Sequence, residues 1–370
     1  MAISRKAGID MPLVAVTLAL LLTGLVMVYS SSSIMAEHRF GSQYHFLKRQ
    51  VVAVMAGLVA LGVLCRVRVR LLEKIALPLL VLAGLLMVAV LIPGIGTRAG
   101  GAQRWIALPG FNVQPAEIAK LALVLFGARM LAQMGDRVRD FTTGFLPLVL
   151  VGLVFVGLLL LQPDFGGAVT IMALVAVMLF VAGTRLAYLG TAALLAVPAL
   201  VGLAIVSPYR LTRLLSFLDP WNARTGTGYQ IVQSFLAFGS GGLTGVGLGA
   251  GRQKLMYLPE AHTDFVFSVI GEELGLVGVA AIVGLYGVLL WRGIGIAVRA
   301  EDPFGALLAL GITSLLGLQA IINMSVVTGM LPTKGLTLPL VSYGGSSTII
   351  CLAGIGILLA IGAQTPAARR

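Results

Sequence analysis

Polar residues in this chain collect in short connections, and between them lie apolar runs with almost no alternation. Ten runs, near 11–32, 50–64, 71–92, 115–133, 144–161, 166–184, 186–206, 265–291, 304–328 and 346–363, are long enough, or nearly so, to cross a hydrocarbon core of about 30 Å. A helix that is apolar on every side has no solvated face, so the pattern predicts an all-α integral membrane protein of about ten transmembrane helices. The second run is short, and the sixth and seventh nearly fuse around Arg185. SSSIMA after the first run offers small residues for signal cleavage, but the apolar stretch is too long for a secretory leader and reads as an uncleaved first helix.

One connection breaks the rhythm. Residues 207–264 form a long extracytoplasmic loop between the seventh and eighth helices, inside a single polytopic domain covering 1–370. YRLTRLLSFL sets Arg210 and Arg213 against Leu211, Leu214, Leu215 and Leu218, as an interfacial helix does, and GYQIVQSFLAF repeats the theme. GSGGLTGVGLGAG then places glycines at 239, 241, 242, 245, 247, 249 and 251. It lacks G-x-G-x-x-G and a Walker lysine and follows no strand, so it reads as close backbone packing or a mobile loop over a groove.

Composition agrees: of 370 residues 58% are hydrophobic and 11% charged, with a mean hydropathy of +1.02. The net charge of +12 does not mark a nucleic-acid surface, because the basic residues bracket apolar runs and form no patch. The short loops on one side are the richer in Lys and Arg, which puts both termini in the cytoplasm and the unusual loops outside. Cys65 and Cys351, the two cysteines, fall at opposite ends of their helices, so neither a disulfide nor a metal site is expected.

Candidate chemistry lies in the outer loops. LPEAHTDFVFSVIGEELG, residues 258–275, holds four of the fourteen acidic residues at the mouth of the eighth run, where carboxylates are expensive. If that helix starts at Pro259, Glu260 and Asp264 share a face and Glu272 lies two turns deeper, with Glu273 opposite. Partial desolvation would raise the Asp264 carboxyl toward a general base, while Arg252 and Lys254 would oppose that shift or bind an anionic leaving group; a helix-capping ion pair is the structural alternative. Gln114-Pro115-Ala116-Glu117 with Lys120 one turn on is a structural ion pair or a substrate contact. Arg104-Trp105 suits a phosphate headgroup or a sugar. Asp164 in QPDFG and Lys334 in LPTKG are single charges at helix mouths. Pro115, Pro163, Pro259 and Pro339 all lie near starts of inward-running helices, whose positive ends favour anions. No H-E-x-x-H or G-x-S-x-G occurs, and three histidines leave little for zinc or a triad.

GAQRW, VQPAEIAKLAL, LQPDFGGAV, GYQIVQS, SGGLTGVGLG, LPEAHTDFVFSVIGEELG and LPTKGLTLPLVSYGGSS resemble, in order over about 100–350, the SEDS (shape, elongation, division and sporulation) family. The resemblance implies a ten-helix peptidoglycan glycosyltransferase that polymerises lipid II on the outer face of the cytoplasmic membrane. It places the catalytic aspartate at Asp264 and further functional charges at Glu117, Lys120 and Lys334. Ala261, Gly271 and LPTKGLTLPL are similar to the division branch, with the elongation and sporulation branches as alternatives. Ala116 stands where Ser is usual. The implied partners are undecaprenyl-diphosphate-linked glycan, a single-span class B penicillin-binding transpeptidase and other divisome or elongasome proteins. Mg²⁺ or Mn²⁺ would suit the diphosphate leaving group, although carboxylates alone do not specify a metal. A lipid II flippase is the reading from another class, and it needs polar groups on both sides of the midplane.

Overall fold

A computed structural model of the chain describes residues 8–99, 102–108, 111–205, 208–222, 226, 228–253, 258–333 and 335–364. Each of the ten apolar runs is a helix: α1 (Met11–Phe40), α2 (His45–Leu64), α3 (Val69–Leu91), α4 (Pro115–Met134), α5 (Leu146–Leu161), α6 (Phe165–Val181), α7 (Leu186–Ile205), α10 (Val266–Arg299), α11 (Pro303–Val327) and α12 (Gly345–Gln364). Among the described residues eight are long and apolar enough to cross a membrane; α6 is a shorter apolar helix, and α7 is apolar over 186–196. α8 (Pro208–Leu218) and α9 (Tyr229–Gly241) occupy the two amphipathic stretches between α7 and α10. α12 is buried along most of its length and packs on α2. Leu22, Val59, Leu85 and Val154 stay outside the bundle, more than 60% exposed, as side chains that face lipid do.

Three differences from the hydropathy pattern have identifiable causes. α1 continues well beyond residue 32 because its serines stay helical: the Ser31 and Ser32 hydroxyls donate to the Met27 and Val28 carbonyls at 2.6 Å, and Gly41 closes the helix in a left-handed cap. The connection after α3 is not all loop. It forms a three-stranded antiparallel sheet, β1 (Gly96–Ala99), β2 (Ala102–Leu108) and β3 (Phe111–Val113), in that order. Strands this short, interrupted by glycines, leave no period-2 signal to read. Finally, α10 begins at Val266 instead of Pro259, so residues 258–264 are turns.

α10 is also broken within its length. Gly275 has φ 66° and ψ −162°, which strips neighbouring peptide groups of their helical partners. The loop after α9 replaces them. Val246 and Gly247 donate to the carbonyls of Glu272 and Glu273 at 3.0 and 3.1 Å, and Leu276 and Val277 donate to those of Gly242 and Leu243 at 3.0 and 3.1 Å. The side chains join in. Glu272 accepts from the Arg252 N–H at 2.7 Å, and Glu273 accepts from the Gly249 N–H at 3.1 Å and from the Ser30 hydroxyl at 2.7 Å. The glycine run is thus backbone packed on backbone: a Cβ at Gly245 would lie 2.2 Å from the Glu273 oxygen.

The opposite end of the bundle is held by charge. Asp10 caps α1 through the Leu13 N–H at 3.1 Å and takes a two-pronged hydrogen bond from Arg292 at 3.0 and 2.5 Å, with Arg299 at 3.7 Å.

Gly275→Ala should test the graft at the helix break. A left-handed φ costs a Cβ-bearing residue about 1–2 kcal/mol, and the new methyl would meet the Gly245 nitrogen at 2.4 Å. We expect a melting temperature several degrees below wild type in detergent; an unchanged value would mean that the loop does not hold the break.

Candidate functional site

The polar outer segments read from the sequence converge at one end of the bundle. Pro115 opens α4, and the preceding Gln114 N–H donates to the Ser346 hydroxyl at 3.0 Å. Ser346 in turn donates to the Asn112 carbonyl at 3.0 Å, so one hydroxyl joins β3, α4 and α12. Glu117 and Lys120 form a 2.7 Å ion pair, both buried. Asp164 caps α6 through the Gly167 N–H at 3.0 Å. Arg104 of β2 lies 3.9 Å from the Asp164 carboxylate and donates to the carbonyls of Gln162, at 3.0 Å, and Pro163. That arginine therefore docks the sheet on the α5–α6 turn. Trp105 beside it is half-buried, and its carbonyl accepts from the Thr97 hydroxyl.

A narrow cleft opens among these elements. Its walls include Gln114, Glu117, Lys120, Asp164, Gln319, Gly335 and Thr337. Asp264 borders it through Gly335: a Cβ at 335 would stand 3.1 Å from Asp264 Oδ2, so the backbone there passes directly over the carboxylate. Two devices hold Asp264. The N–H groups of Thr263, Asp264 and Phe265 all point at the Glu260 carbonyl, at 3.2, 3.1 and 3.4 Å, and Glu260 takes a left-handed φ of 56° to allow it. From α11, Asn323 Nδ2 donates to the Asp264 carbonyl at 2.9 Å and to the Leu336 carbonyl at 2.6 Å, tying the two loops together.

Several expectations change. With α10 starting at Val266, Glu260 and Asp264 share no helix face; Glu260 is exposed and accepts from the Thr263 hydroxyl at 2.8 Å. Pro259 and Pro339 lie in turns before their helices, so only Pro115 occupies a first helical position among the four prolines. Glu272 lies away from the cleft and is spent on the Arg252 and Gln253 N–H groups, and Arg252 itself is exposed. Lys254 and Lys334 lie outside the described residues. Among the described residues no three His, Cys, Asp or Glu side chains gather as a metal ion would need, so no step here is routed through Mg²⁺ or Mn²⁺. Gln319, Asn323 and Ser346 are contributions that the sequence reading missed. The two amides, one turn apart inside an otherwise apolar run, were the available signal.

His262 lies on the wall formed by the loops. It is 5% exposed, between the rings of Phe46 and Tyr343 at 4.5 and 5.6 Å, and its carbonyl accepts the Tyr343 N–H at 2.9 Å. Burial pushes its pKa below the usual value, Glu260 opposes the shift, and Arg39 adds to it. A base with a depressed folded pKa contributes stability above its unfolded value, near 6.5, that is lost as pH falls through the folded one. The melting temperature should therefore fall as pH drops below about 6.5, and His262→Gln should flatten that dependence in a thermal scan.

The Glu117–Lys120 pair makes a second prediction. Glu117→Gln strands a buried ammonium and should cost about 3–5 kcal/mol, whereas Glu117→Gln combined with Lys120→Met should recover most of the stability, read by chemical or thermal unfolding.

The chain is similar along most of its length to known proteins. A family model described as cell cycle protein, covering FtsW, RodA and SpoVE, matches residues 11–366. A protein of Trichlorobacter lovleyi named probable peptidoglycan glycosyltransferase FtsW is 50% identical over 359 residues, covering 97% of this chain and 94% of the relative. Stage V sporulation protein E of Bacillus subtilis is 42% identical, covering 96% and 97%. Among solved structures, a chain of a peptidoglycan synthase complex that coordinates polymerization and crosslinking superposes with a TM-score of 0.79 at 36% identity, covering 96% and 97%. The rod shape determining protein RodA of Thermus thermophilus superposes at 0.71 with 34% identity, covering 96% and 97%. With a family model and relatives matching along nearly its whole length, this chain belongs to the FtsW/RodA/SpoVE family of multi-pass membrane proteins.

Proposed function

We propose that this protein is a peptidoglycan glycosyltransferase that polymerises lipid II at the outer face of the cytoplasmic membrane, in cell division, as a single polytopic domain with both termini in the cytoplasm. The observation that carries the reading is the placement of Asp264 against a cleft walled by buried charge. Among the described residues the buried charged side chains are Glu117, Lys120, Asp164, Glu272 and Glu273 at this end of the bundle, and Asp10 at the other, where Arg292 and Arg299 bind it. A transporter would need comparable groups along the helices beyond the midplane, where Asp10 only caps the start of α1, so a flippase is the weaker reading.

In the reaction, Asp264 removes the proton from the C4 hydroxyl of the acceptor sugar as that oxygen attacks C1 of the donor. The new glycosidic bond forms, the bond from C1 to the diphosphate oxygen breaks, the anomeric centre inverts, and undecaprenyl diphosphate leaves with the electron pair. The half-buried setting of Asp264 suits a base, and the loops tied by Asn323 fix its position. Arg104, Trp105, Glu117, Lys120 and Asp164 shape the cleft and its rim, and Lys334, next to the cleft residue Gly335, is the candidate cation for the departing diphosphate. Glu260 serves by turning the chain just before Asp264, and Glu272 by holding the glycine loop. The chain is proposed to work with a class B penicillin-binding transpeptidase, as fits its likeness to a subunit of a synthase complex.

Purified chain given lipid II, with and without that transpeptidase, should form glycan strands visible by gel electrophoresis. Asp264→Ala and Asp264→Asn should lower the rate by about 10²–10⁴ while a cooperative melting transition shows that both variants fold. Full activity in the folded variants would remove Asp264 from its role.

A further inference from the structure

Gln319 is 3% exposed, lies on α11 and lines the cleft, yet among the described residues it makes no hydrogen bond. Its neighbour one turn on, Asn323, spends its amide N–H groups on two loop carbonyls. The Gln319 amide atoms are not sealed from solvent as Asn323 Oδ1 is, so they open onto the cleft, and the cost of a polar group left unmatched there is removed only by water or by a ligand. The same apolar run could hold a methionine of similar volume at no such cost.

The surroundings indicate the ligand. Among the described residues the cleft carries the carboxylates of Glu117 and Asp164 and one ammonium, Lys120, already paired at 2.7 Å. Among the described residues that wall offers no spare positive charge for a diphosphate, the group assigned above to Lys334. A carboxamide is neutral and both donates and accepts, which complements the C=O and N–H of an acetamido group or a sugar hydroxyl. We propose that Gln319 is a substrate-contact residue that recognises the neutral saccharide part of the lipid-linked substrate and makes no contact with the diphosphate. The inference rests on the lipid II reading given above.

The experiment compares binding of lipid II and of undecaprenyl diphosphate to the purified full chain in nanodiscs. Wild type should prefer lipid II. Gln319→Met should weaken lipid II about tenfold, the loss of one well-formed hydrogen bond with its partner left unmatched, and should leave undecaprenyl diphosphate unchanged. Without ligand, this variant should melt at or above the wild-type temperature, because an unpartnered amide has gone. Should the methionine variant fail to fold, Gln319→Asn, which keeps the amide but withdraws it by one methylene, should show the same ligand-selective loss. Equal loss for both ligands, loss for neither, or a wild type without preference for lipid II overturns the proposal. A wild type that binds lipid II with this selectivity but forms no glycan strands would instead refute the polymerase reading and leave Gln319 in place.

Discussion

A polar group surrounded by hydrocarbon must find its partner within the protein, and this chain's architecture depends on how that is met where α10 is broken. Straight helices meet the requirement automatically, peptide by peptide. At Gly275 the helix stops doing so, and four peptide groups take new partners from the glycine loop after α9. Glu272 and Glu273 then use their carboxylates on that loop's N–H groups, and Ser30 ties the assembly to α1. The two halves of α10 are held by this join, and Asp264, just before the first, is held in turn by the Glu260 turn and Asn323.

The same accounting orders the cleft. Glu117 and Lys120 neutralise each other one turn inside α4, Asp164 caps α6 beside Arg104, and Ser346 bridges three elements through two hydrogen bonds. These groups are committed, so the walls are rigid and chemically quiet. Asp264 sits at the edge, on a turn that needs a left-handed Glu260 and a bare Cα at Gly335. Strained backbone of this kind persists where surrounding contacts over-determine it, and it is common at working sites. Gln319 is the exception among the cleft residues, since it is buried and uncommitted.

Most of the helical framework was legible in the chain. Every one of the ten runs became a helix because a segment without a solvated face has one stable form in lipid. Prediction failed where polar groups satisfy each other over long separations. The serines after the first run stay helical by bonding back to their own turn, and the short strands of the sheet are defined by pairing alone. The acids of residues 258–275 looked alike as a cluster, yet they divide into a turn residue, a cleft carboxylate and two loop anchors.

By itself, then, the sequence determined the lipid surroundings, the ten apolar helices and the polar connections in which unusual chemistry gathers, because hydropathy and local spacing act over one or two helical turns. Only the tertiary structure decided which acids face the cleft, that Arg104 serves the α5–α6 turn, that the glycine run repairs a broken helix, and that two amides of α11 belong to the site. Those outcomes depend on partners between 13 and 243 positions away along the chain. Spacing along a chain does not encode such distances.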